Sequence, residues 1–104
     1  MRSARIFVNG NFAGFFTEIE KGGPYIFTYE PGYSGRPISL TMPIQKTPYR
    51  FARFPSFFDG LLPEGIMLEG LLRQQKMDQF DYFSQLAAVG NDLVGAVTVV
   101  EELW

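Results

Sequence analysis

The sequence contains no histidine and no cysteine. The Ser/His and Cys/His nucleophile pairs, the HExxH zinc site and thiolate zinc ligands are therefore all excluded. Without cysteine there is no disulfide framework and no thiolate chemistry, which fits a reducing compartment. Glycines at phosphate-loop spacing are also missing: neither G-x-G-x-x-G nor G-x-x-x-x-G-K occurs, so the chain is not a kinase by itself. Excess positive charge is lacking too. A net charge of −2 argues against binding nucleic acid through neutralised phosphates, which needs clustered Lys and Arg. No apolar run approaches the ~20 residues of a membrane span. Residues Met1 to Gly10 hold only three consecutive apolar residues before a turn signal, too few for a signal-peptide core. The expectation is a cytoplasmic protein with no membrane contact and no cofactor.

What is present is hydrophobic and aromatic. At 104 residues and 46% hydrophobic, the chain is expected to form one domain spanning residues 1–104, able to bury roughly two-thirds of its unfolded surface. Eleven Phe, five Tyr and one Trp are many for this length, so some rings are expected at an interface and not in the core.

The first half reads as strands. Arg5 to Val8 meets Phe12 to Ile19 across Asn9-Gly10, a dipeptide that accepts the positive φ of a tight hairpin turn. Lys21-Gly22-Gly23-Pro24 punctuates, and Tyr25 to Tyr29 is an aromatic and β-branched run. Ile38-Ser39-Leu40-Thr41-Met42 alternates as a half-buried strand should, completing a meander.

From residue 56 the signals turn helical. Ser56 with Asp59 has the form of a capping box for a turn that lasts until Gly60. Pro63 suits a first helical position, so Pro63 to Lys76 is expected as a helix. Asp78 would cap a second helix carrying Phe80, Phe83 and Ala87 on one stripe, with Gly90 past its end. Leu93 to Val100 reads as a strand in a covered part of the sheet, with Glu101 and Glu102 in solvent and a frayed Trp104. The fold class is α+β: a small, mostly antiparallel β-sheet with two or three helices packed on one side.

Three groups of residues are candidates for a site. The carboxylate pairs Glu18/Glu20, Asp78/Asp81 and Glu101/Glu102 read more plainly as solvated faces and helix caps than as acid–base dyads. Pro48 to Pro55 interleaves aromatics with Arg50 and Arg53, a mixture that can stack on bases. Core aromatics with two rim cations explain it better in an acidic chain. The third group is more unusual. Ile66, Met67, Leu68, Leu71 and Leu72 occupy most of a helix circumference, and one face cannot bury them all. Of these, Ile66 and Met67, together with Phe57, Phe58, Leu61, Leu62, Pro63, Glu64 and Gly65, are the candidate partner-binding residues.

Phe57 to Gly65 resembles the F-F-D-N-L-L-P-E-G signature of the HipA N-terminal region, with Gly60 where that family commonly has Asn. Val8-Asn9-Gly10 with Ala13-Gly14, Arg36-Pro37-Ile38-Ser39-Leu40 with Pro43, and Leu86 to Asp92 with Gly95-Ala96-Val97 are similar to further family passages. The resemblance covers nearly the whole sequence in order. In full-length HipA proteins this region precedes a serine/threonine kinase core and packs against it. A kinase-free chain starting at Met1 and stopping at Trp104 resembles the short HipS antitoxin of three-component HipBST systems. The resemblance then implies a HipT-like serine/threonine kinase toxin as partner and a HipB-like DNA-binding protein as third member of a complex. Its alternative is a non-inhibitory subdomain that completes or stabilises a HipA-type kinase. The amide offered by the family's Asn has no counterpart at Gly60.

Overall fold

The computed structural model describes residues 1–91, 93 and 95–102. Strands β1 (Arg2–Val8) and β2 (Asn11–Glu18) form the expected hairpin, and Asn9 and Gly10 at its tip take φ of 50° and 81°. Such a turn twists with its strands, which is why Asn-Gly is favoured there. The register slips once, so that Ala13 is the extra residue of a bulge between the Ile6–Gly14 and Phe7–Phe12 pairs. Strand β3 (Tyr25–Tyr29) pairs with β2, and β4 (Tyr49–Phe51) with β3. The last strand, β5 (Val97–Glu102), returns beside β1, giving an antiparallel five-stranded sheet of order β4-β3-β2-β1-β5.

One face of this sheet carries the core. Ala4, Ile6 and Val8 share it with Phe16, with Tyr25, Phe27 and Tyr29, and with Val97 and Val99. Phe16 is the hub: its ring centroid lies 4.2 Å from Phe58 of helix α1 (Ser56–Asp59) and 5.8 Å from Phe83 of helix α3 (Tyr82–Val89). Such ring pairs add about 0.5–1.5 kcal/mol each beyond their area. The α+β class and the helices on the core face are as the sequence indicates.

Several elements differ from expectation. Ile38 to Met42 is not a strand: Ser39 and Met42 form an isolated bridge around a tight turn, with Ile38 and Met42 buried and Leu40 thrust out. The fourth strand of the meander is instead Tyr49–Phe51, inside the aromatic and basic run, where Arg50 and Arg53 stay exposed while Tyr49, Phe51 and Phe54 pack on the core. Helix α1 has Pro55 as N-cap, so Ser56 is inside it and no capping box forms. Helix α2 runs Gly65–Gln75 and not from Pro63; Gly65 enters with φ of 57°, and Lys76 closes it in the left-handed conformation. Asp81, not Asp78, caps α3, because Asp78 spends its Oδ1 on the Phe80 N–H. Phe80 thereby leaves the buried stripe and is 68% exposed, while Leu86 takes its place. Strand β5 is an edge strand that begins only at Val97 and alternates buried with half-buried residues up to Val100. Trp104 and Val94 lie outside the described residues.

Candidate functional site

Helix α2 is the anomaly of the fold. It carries Ile66, Met67, Leu68, Leu71 and Leu72 in eleven residues, yet none of its residues is buried. Ile66 and Met67 are 85% and 73% exposed, and the three leucines are only partly covered. Helices of this length owe most of their stability to tertiary packing of an apolar face, and here that packing is slight.

The residues leading into α2 are graded in burial. Phe58 is fully buried against Phe16, so it belongs to the core and props the region without being able to touch a partner. Phe57, packed edge-on to Phe58 at 5.1 Å, is half-buried, as are Leu61, Leu62 and Pro63. Glu64, Gly65, Ile66 and Met67 are exposed. Phe57 and Leu61 are brought together in a groove of about 370 Å³, whose other apolar walls include Val8, Ile38, Leu40 and Val97. Of the expected site residues, only these two share that groove.

Sequence reasoning missed Leu40 and Arg36, which stand at the groove's lip. Leu40 is completely exposed. The alternation of Ile38, Leu40 and Met42 pointed to one strand face and so hid it. The paired prolines Pro37 and Pro43 flanking the stretch were the available signal for a loop.

The carboxylates are occupied structurally. Glu18 is 3% exposed and accepts from Arg2 Nε at 2.8 Å, the Gly22 N–H and the Tyr25 hydroxyl, whereas Glu20 points to solvent. Arg2 also donates to Asp81 at 2.8 Å and to the Ser84 hydroxyl at 2.6 Å. Burial works against the charge on Asp81, but donors from Arg2 and Ser84 outweigh it and hold its pKa below the usual carboxylate value. For Arg2, burial is likewise outweighed by the two carboxylates, and its pKa rises. Burial, reinforced by the nearby Glu18 carboxylate, pushes the Tyr25 hydroxyl up to about 12. Asp81 caps α3, Asp78 accepts from the Phe80 N–H, and Glu102 pairs with Arg5 at 2.8 Å. Among the described residues no group of three or more Asp and Glu side chains is arranged to hold a metal ion, and no helix is long and apolar enough to cross a membrane. The arrangement offers contact surface, with rigid aromatic support beneath it.

A family model described as the HipA N-terminal domain matches residues 4–100. An uncharacterized protein of Haemophilus influenzae is 34% identical over 102 residues, covering 98% of this chain and 94% of that protein. Among solved structures, the N-terminal domain of HipA toxin superposes with a TM-score of 0.76 at 30% identity, over 99% of this chain and 94% of that one.

Proposed function

This chain belongs to the HipA N-terminal domain family, and from that premise we propose that it is an antitoxin that binds and neutralises a HipT-like serine/threonine kinase toxin. The observation that carries the reading is helix α2, apolar around most of its circumference and without a buried residue. Apolar area left in water by the isolated domain is recovered on docking at roughly 25 cal/mol per Å², and the fixed scaffold of Phe57, Phe58 and Phe16 lowers the ordering cost. Exposed Ile66 and Met67 lead the contact, with Leu61, Leu62 and Pro63 beside them. Seated on the kinase, the segment from Leu62 to Met67 obstructs nucleotide binding or holds the lobes in an unproductive arrangement. A HipB-like DNA-binding protein is the natural third component, and the acidic chain itself contributes no contact to DNA. Such a protein works in the cytoplasm as a binder and not as an enzyme.

The likeness to a domain of the toxin itself supports a second reading, in which the chain completes a HipA-type kinase without inhibiting it. One assay separates them. The purified chain is added to a purified HipT-like kinase, and phosphorylation of substrate is followed. Loss of phosphorylation is the expected result; tight binding with unchanged activity would replace the antitoxin by the scaffold.

A further inference from the structure

The turn at residues 36–43 is held more firmly than an exposed loop requires. Tyr29 accepts from the Ile38 N–H at 3.0 Å and donates its hydroxyl to the Met42 carbonyl. Tyr33 donates to the Arg36 carbonyl, and Tyr49 to the Pro43 carbonyl. Within the turn, the Met42 N–H bonds the Ser39 carbonyl at 3.1 Å and the Thr41 N–H bonds Ser39 Oγ at 3.2 Å. Ile38 and Met42 anchor both sides in the core. Three tyrosines from three parts of the meander thus fix a turn whose apex, Leu40, is completely exposed. A leucine in that position gains nothing from folding, since it leaves no water. Held rigid, it has the preorganisation that a binding anchor needs.

Beside it lies the groove floored by Ile38, Phe57, Leu61 and Val97. Its volume of about 370 Å³ is at the small end for a small-molecule site. Its polar groups, Arg36 and Ser39, sit at the lip and do not converge on a ligand, so the groove suits a side chain better than a cofactor. Arg36 is exposed, and among the described residues it takes part in none of the three ion pairs.

Resting on the antitoxin reading, we infer that the kinase surface this chain binds extends to the groove, and that its occupant is a kinase segment carrying an apolar side chain next to a carboxylate. The apolar side chain enters between Ile38, Phe57, Leu61 and Leu40, and the carboxylate takes the guanidinium of Arg36. The contact is continuous with the α1–α2 region through Phe57 and Leu61 and adds a charge requirement that α2 does not have.

The test uses the intact chain and a HipT-like kinase, with Leu40→Ser and Arg36→Glu each checked for an unchanged melting temperature. Calorimetric titration at low and at high salt reads the affinity. Leu40→Ser is expected to weaken binding about 30-fold, as loss of a central anchor does. Arg36→Glu is expected to weaken it at least about 10-fold at low salt and much less at high salt, because an exposed charge contact is screened. If the wild type inhibits and both variants bind within about twofold of it, the groove contact is overturned while the antitoxin reading stands. If Leu40→Ser weakens binding and Arg36→Glu does not, the proposed acidic occupant is overturned. A wild-type chain that neither binds nor inhibits the kinase overturns both readings.

Discussion

Replacing Arg2 with methionine removes a charged group that ties the β1–β2 hairpin to α3. Arg2 spans Glu18, Asp81 and Ser84 with bonds of 2.6–2.8 Å, and its guanidinium lies 4.9 Å from the Phe83 ring centroid. Methionine keeps the apolar stem but leaves Glu18, 4% exposed in its side chain, without a cation. Stranding one member of a buried pair costs about 3–5 kcal/mol. The Arg2 side chain is itself 31% exposed, so water moderates the loss to about 2–3 kcal/mol. For a domain of this size that is a fall of roughly 10–20 °C in melting temperature. Urea denaturation followed by aromatic fluorescence measures it, with two companions. Arg5→Met, breaking the more exposed pair with Glu102, should cost less than about 1 kcal/mol. Arg2→Met combined with Glu18→Gln should recover part of the loss, because the more deeply buried of the two carboxylates is then no longer a charge without a cation. An Arg2→Met variant no less stable than Arg5→Met would refute the reasoning.

Phe58→Ala should cost about 3–5 kcal/mol in the same assay, since it empties the site against Phe16, whereas Ile66→Ser should stay within about 0.5 kcal/mol. Gly90→Ala should abolish the docking of α3 on β5, because a Cβ there would sit 2.0 Å from the Val99 carbonyl oxygen; exchange of the Val99 amide, which donates to Gly90, reports it. Alkali should unfold the protein through Tyr25. Its folded pKa of about 12 exceeds the unfolded value of about 10, so the folded state holds the proton longer, and stability is full below pH 10 and falls as pH rises towards 12. In Tyr25→Phe that part of the alkaline loss should disappear.

The sequence made legible whatever was encoded locally. Asn9-Gly10 announced its hairpin because few other dipeptides take two positive φ values in succession. The apolar excess of residues 66–72 was visible as a pattern that no single core face satisfies, and the exposed α2 follows from it. What stayed hidden depended on distant partners. Arg2 and Asp81 are 79 positions apart, and nothing near either one marks the bond. Strand β4 is three residues long, and pairing with β3, not its own pattern, makes it a strand. Period two, the simplest reading of Ile38, Leu40 and Met42, places Leu40 inward, while tyrosine hydroxyls from Tyr29 and Tyr49 impose a turn instead. In the candidate region, Phe58 and Phe57 differ by one position and yet lie on opposite sides of the boundary between core and groove.

The most direct test of α2 as the surface that meets a kinase is the double variant Ile66→Ser, Met67→Ser in the phosphorylation assay with a HipT-like kinase. Both side chains are already in water, so melting should be unchanged. The account predicts that neutralisation of the kinase is lost or weakened at least about 30-fold. Full neutralisation by a folded double variant would contradict it.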